Sequence, residues 1–213
     1  MKRIKLTACF VIGLFILHSN SFAMSNQTWT FKVYLDEQEV GEHHFNVASV
    51  NDQTHVKINA SFDVYFFFIN AYSYRHSNHE IWKDQCLQSI RSTTDDNGED
   101  LFVEAKLNNK KLDIKSSSGK HSEEGCIKTF AYWNSDFLKS RTLLNAQTGR
   151  MVDINVEKKG DTKIMIRNEL IESTHYRLKT DEFTIDLWYS KDNQWLALNS
   201  TTSSGSTLRY QIQ

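Results

Sequence analysis

Residues 56–68 carry the strongest pattern in the chain. Val56, Ile58, Ala60, Phe62, Val64, Phe66 and Phe68 share one parity, and Lys57, Asn59, Ser61 and Asp63 share the other. A side-chain period of two belongs to a strand with one face on a core. The same alternation runs through Trp29, Phe31, Val33 and Leu35, through Leu101, Val103, Ala105 and Leu107, and through Val152, Ile154 and Val156. It returns in Phe183, Ile185 and Leu187, and in Leu208, Tyr210 and Ile212. Turn-forming pairs punctuate these runs. Asn97-Gly98 suits a tight hairpin because both residues tolerate positive φ. Asn108-Asn109, Lys159-Gly160-Asp161 and Asp192-Asn193 read as further turns. Strands recur about every 10 residues, as in sandwiches and barrels. Only residues 134–140 break the pattern. They read as one short helix with Asn134 or Ser135 as its cap and Asp136 at the positive end of its dipole. The reading is all-β: a single domain, with an antiparallel sheet wrapped into a barrel or half-barrel and that helix at its mouth.

The first 23 residues stand apart. Lys2, Arg3 and Lys5 precede an apolar run from Leu6 to Leu17, and Ser21-Phe22-Ala23 follows. These are the three regions of a secretory signal peptide, and the run is too short for a membrane span of about 20 residues. Cleavage after Ala23 is expected, releasing residues 24–213 as a soluble periplasmic protein. Leu6-Thr7-Ala8-Cys9 mimics a lipoprotein box but precedes most of the apolar run, so Cys9 is expected to leave with the signal. The remainder has 22 basic and 26 acidic residues and no long basic run, which argues against a nucleic-acid partner. Cys86 and Cys126 remain as an even pair. In an oxidising compartment they read as a disulfide, the alternative being two buried thiols. The chain has no proline, so its sheet edges must be closed, covered or guarded by charge.

Candidate chemistry is sparse. Tyr65, Phe66, Phe67, Phe68, Tyr72 and Tyr74 form an aromatic concentration. Such a strand either packs on both faces or sets one face on the core and the other on an apolar ligand. On the second reading Tyr65 and Phe67 line a groove, Tyr72 or Tyr74 meets a polar head at its mouth, and Tyr132 and Trp133 complete the lining. His76 and His79 are three apart and face opposite sides of a strand, as do the adjacent His43 and His44, so no metal site is expected. There is no Gly-x-Ser-x-Gly elbow. Asp95, Asp96, Glu99 and Asp100 read as solvated charge around a turn. Neither catalysis nor a cofactor is expected.

Five blocks carry a family resemblance. They are Trp29-x-Phe31-x-Val33-x-Leu35-Asp36 with Val40-Gly41-x-His43-x-Phe45; Phe66 to His76; Glu80-x-Trp82-x-x-x-Cys86-Leu87; Cys126-x-x-Thr129-Phe130-Ala131-Tyr132-Trp133-Asn134; and Leu143-Leu144-Asn145-x-Gln147-Thr148-Gly149. Together they resemble an uncharacterised family of secreted proteobacterial proteins, domain of unknown function 6134. The resemblance implies periplasmic export, one β-rich domain and no established activity. It places both cysteines in matching blocks and supplies no catalytic residue. The wrapped sheet is similar in kind to periplasmic lipid-carrier half-barrels. Two roles follow as expectations: a binding protein for an apolar or lipid-like ligand, or an envelope accessory protein whose curved sheet meets a protein partner.

Overall fold

The computed structural model describes residues 26–201 and 205–213. The expected signal peptide, its cleavage point, Cys9 and residues 202–204 of the polar loop lie outside the described residues. The chain forms β1 (Asn26–Leu35), β2 (Gln38–Val50), β3 (Gln53–Phe66), β4 (Ile69–Lys83), β5 (Cys86–Asp96), β6 (Glu99–Asn108), β7 (Lys111–Ser116) and β8 (Gly119–Glu124). After β8 come a 3-10 helix (Ser135–Lys139) and a small ribbon of β9 (Thr142–Leu144) and β10 (Met151–Asp153). The chain then forms β11 (Asn155–Ile166), β12 (Glu169–Lys179), β13 (Thr184–Ser190), β14 (Trp195–Thr201) and β15 (Thr207–Ile212).

Thirteen strands share one antiparallel sheet, in the order β11-β12-β13-β14-β15-β1-β2-β3-β4-β5-β6-β7-β8. Two meanders therefore meet at β1 and β15, where Phe31 lies opposite Ile212 and Leu35 opposite Leu208. The sheet curls without closing, and β8 and β11 are its two edges. Neither edge carries a proline; charge guards them, as the composition required. β8 presents Lys120, His121, Glu123 and Glu124, and β11 presents Glu157, Lys158 and Lys159. Lys159-Gly160-Asp161, expected as a turn, is instead a bulge in β11, where the register shifts between Lys158 and Gly160. A bulge twists an edge away from further pairing.

The alternating residues do set the inner face. Trp29, Phe31, Val33, Phe45, Val56, Ile58, Ala60, Phe62, Val103 and Ala105 are all buried. The segment between β8 and β11 lies against that face as a plug. Its Ile127, Ala131, Phe137, Leu138, Leu143 and Leu144 join one core cluster with inner residues of both meanders. The plug is pinned on both sides. Leu87 N donates to Ile127 O at 2.9 Å, Ser92 Oγ donates to Ala146 O, and the Tyr189 hydroxyl donates to Tyr132 O at 2.8 Å. A Cys86–Cys126 disulfide ties its start to β5. The expected helix is the 3-10 turn: Asn134 caps it, its side chain accepting from Asp136 N at 3.1 Å.

Consecutive strands are antiparallel neighbours, so alternate turns share an end of the sheet. The turns at 36–37, 67–68, 97–98 and 117–118 lie at one end. Those at 51–52, 84–85 and 109–110 lie at the other.

Candidate functional site

Among the described residues, two hairpins run past their neighbours: β11–β12, which continues four pairs beyond β13 with Met165 and Leu170 exposed, and β3–β4, which carries the longer run of exposed apolar residues. The ladder of β3 to β2 ends at Gly41 opposite Phe62, and the ladder of β4 to β5 ends at Tyr74 opposite Asp96. Beyond those points the two strands pair with each other: Asp63 with Ser73, Val64 with Tyr72, Tyr65 with Asn70, Phe66 with Ile69. Four residues of strand, roughly 13 Å, extend past these ladders, touched at the flanks by the Asn97 N–H on the Ser73 carbonyl at 2.7 Å and by Gln38 Nε2 on the Tyr65 carbonyl at 3.5 Å. We call this overhang the finger.

Its tip is apolar and in solvent. Exposure is 49% at Tyr65, 69% at Phe66, 81% at Phe67, 98% at Phe68 and 71% at Ile69. The alternation predicts Phe66 and Phe68 on the core face beside Phe62, and the structure corrects this. The register shifts between Val64 and Tyr65, and the chain reverses at 67–68, so the last apolar residues belong to a turn. Phe67 occupies the left-handed region at φ 56°. That conformation suits glycine, asparagine and aspartate and is strained for a bulky side chain. The other hairpins each place at least one Asp, Asn or Gly at positive φ, at Asp36, Asn51-Asp52, Asp84-Gln85, Asn97-Gly98, Asn109-Lys110 and Arg167-Asn168. Among the described residues only this tip sets an aromatic residue at positive φ.

The base of the finger is braced. Phe62 and Tyr74 stack with ring centroids 5.5 Å apart. Arg75 donates to Asp63 Oδ2 at 2.7 Å and to the Phe62 carbonyl at 2.8 Å, and its hydrogen bond holds the Asp63 carboxyl below its usual range. The Tyr72 hydroxyl donates to Asp96 Oδ1 at 2.6 Å, and Gln147 Nε2 donates to Asp96 Oδ2 at 2.9 Å. Gln147 Oε1 accepts from Tyr74 at 3.4 Å. Gln147 belongs to the plug, where the Asn145 side chain accepts from the backbone N–H of Gln147 and of Thr148. Gly149 closes that turn with its N–H on the Asn145 carbonyl. A Cβ at Gly149 would stand 2.5 Å from Ser116 Cβ, so the turn needs glycine there. The Leu-Leu-Asn-x-Gln-Thr-Gly block thus builds the bracket that carries the finger.

The six residues expected to line one groove do not form one, although Tyr74 stands near enough to Tyr72 and Tyr132 to add to the effect of burial in raising both phenols. Tyr65 and Phe67 are on the exposed tip. Tyr72 and Tyr74 stand at its base with their hydroxyls engaged, and burial pushes both phenols well above their usual range. Tyr132 and Trp133 lie in the plug. Tyr132 packs on Trp195 and Phe137, and Trp133 meets Trp82 edge-on at 5.6 Å. The plug packs into the larger core cluster under the sheet, while a smaller cluster of Val33, Val40, Ala60 and Phe62 nearer the finger holds no plug residue.

A buried ionisable group escaped the sequence reading. Glu80 is 1% exposed and accepts from Asn78 Nδ2 at 2.9 Å and Trp82 Nε1 at 2.8 Å, with Thr129 of the plug as a third partner. Burial raises its carboxyl above the ordinary value against the pull of these donors. The signal was there: on a strand, residues 78, 80 and 82 share one face, and Trp82 marks it as inner. His43 and His76 also point inward. Burial depresses them to about 3 and about 4 respectively, so both are neutral at neutral pH. His76 Nδ1 meets Thr94 Oγ1 at 2.8 Å, and His43 Nδ1 meets the Tyr210 hydroxyl at 3.3 Å.

A family model described as a domain of unknown function (DUF6134) matches residues 31–213. No curated protein matches the chain. Among solved structures it is similar to the beta-barrel-like protein of domain of unknown function DUF1849 from Brucella abortus, with a TM-score of 0.63 at 10% identity. That likeness covers 88% of this chain and 94% of the other, and at such identity it speaks to fold alone.

Proposed function

The chain belongs to the DUF6134 family, and from that premise we propose that it is a non-catalytic docking protein of the cell envelope, working in the periplasm, that engages an apolar partner surface with the finger tip. One observation carries the reading: five consecutive large apolar side chains, residues 65–69, are held in solvent on a braced overhang. Burying a Phe or Ile side chain is worth about 1.5–3 kcal/mol, so covering this tip offers several kcal/mol to a complex. A contiguous exposed apolar patch rimmed by polar residues is the usual mark of an interaction site. The strain at Phe67 points the same way, because local rules are broken most often where function requires it. The apolar-ligand carrier draws less support, since most of the inner face packs against the plug or into the core. No helix among the described residues is long and apolar enough to cross a membrane.

The test is the triple substitution Phe66→Ser, Phe67→Asn, Phe68→Gly in the full chain. The variant should fold and melt at the wild-type temperature or above it, because it removes a strained φ and no buried side chain. It should also elute as free monomer from an envelope extract in which wild type elutes in a larger assembly. Identical elution of the two proteins would overturn the proposal.

A further inference from the structure

We infer that the finger's partner is a protein presenting an apolar socket rimmed by Lys and Arg side chains; this rests on the docking reading above and names the chemistry of its partner. The argument comes from the turns on either side of the tip. β3 is flanked by β2, whose turn to β1 carries Asp36 and Glu37. β4 is flanked by β5, whose turn to β6 carries Asp95, Asp96, Glu99 and Asp100. No base interrupts either turn. Three basic side chains at this end are already engaged: Lys32 with Glu39 at 3.0 Å, Arg75 with Asp63 at 2.7 Å, and Arg209 with Glu37 at 3.7 Å. Lys115 and Lys120 stand one hairpin further out, flanking the turn at 117–118. The aromatic tip therefore rises from a collar with a surplus of carboxylates.

That collar selects among apolar surfaces. An anionic bilayer repels it, by the same field that draws polybasic segments to such membranes. A neutral bilayer gains nothing from it. A second copy meeting tip to tip would set collar against collar, with like charges inside a Debye length of about 8–10 Å. A protein socket with a cationic rim gains apolar burial at the centre and opposite charge at the edge, the arrangement that speeds encounter and fixes orientation.

A photoreactive phenylalanine, p-benzoylphenylalanine, placed at position 68 of the full chain and irradiated in the intact envelope tests the assignment. Position 68 is 98% exposed, so the probe should not disturb the fold. The expected product is an adduct with a protein, mapped by mass spectrometry to an apolar segment bordered by Lys or Arg. Its yield should fall several-fold in washed envelopes between 50 mM and 500 mM salt, and roughly tenfold in the Glu37→Lys, Glu99→Lys, Asp100→Lys variant. A thermal melt of that variant checks that it is folded. Capture of a protein without a basic border, or without salt dependence, would overturn the assignment. So would a lipid adduct or an adduct with a second copy, although either would leave the docking role standing. Absence of any adduct would overturn both.

Discussion

Three buried ionisable side chains set how this protein responds to pH. His43 and His76 are held neutral by burial, at about 3 and about 4. In the unfolded chain each takes up a proton near pH 6.5. Their folded values are depressed, so the stability they contribute is complete above pH 6.5 and is lost as pH falls toward 4. The slope approaches about 1.4 kcal/mol per pH unit for each histidine. Glu80 acts in the opposite sense: its folded value is raised, so it favours folding below its unfolded value and loses that contribution as pH rises. Asp63 and Asp136, held low by Arg75 and Lys128, matter only below their ordinary range near 3.8. The histidines therefore lower stability as pH falls through the window from 6.5 to 4, offset in part by Glu80 as pH falls toward 4.5. Urea midpoints of wild type should drop steeply across that window. His76→Gln should flatten the drop by up to about 1.4 kcal/mol per pH unit, and an unchanged slope would refute this assignment. Glu80→Ala leaves Asn78, Trp82 and Thr129 without their acceptor. It should destabilise the fold by about 2–4 kcal/mol, read by urea unfolding at pH 7.

Among the elements, the plug and the finger were legible to different degrees. The capped turn near 134–140 could be read because Asn134 and Asp136 act locally. Its place under the sheet could not, because Phe130-Ala131-Tyr132-Trp133 is apolar all round and carries no direction. For β3, alternation gave the inner face as far as Val64. It missed the tip because a register shift and a Phe in the left-handed region have no local signal; the residues that normally announce a turn are absent there. The bulge at Gly160 reads as a turn for the opposite reason: a glycine stands between charged residues, yet no hairpin surrounds it. The Cys86–Cys126 pair, which sequence and structure both give, joins the plug to β5 across 40 residues of chain. Cys86→Ser should lower stability by roughly 3–4 kcal/mol in the chain-entropy account. The loss should appear as early melting of the plug, visible as increased hydrogen exchange at residues 127–146. Unchanged exchange there would show that core packing alone holds it.

At the scale of the whole molecule, two meanders wrap a plug and leave an apolar finger on an acidic end. The wrapped sheet was predicted from period-two segments, and it stands as a curled sheet with charged edges. The six residues assigned to a single groove were not recoverable as a site, since the plug that packs into the larger core cluster comes from the same aromatic block that suggested a lining. The central claim is that the finger is where this protein meets its partner. Hydrogen exchange followed by mass spectrometry, on the purified protein and on the protein in its native envelope fraction, tests that claim most directly. Amides of residues 63–73 should exchange more slowly in the envelope than in the purified protein, while β11 and β12 are unchanged. Equal exchange at residues 63–73 in both samples, or new protection confined to other strands, would contradict it.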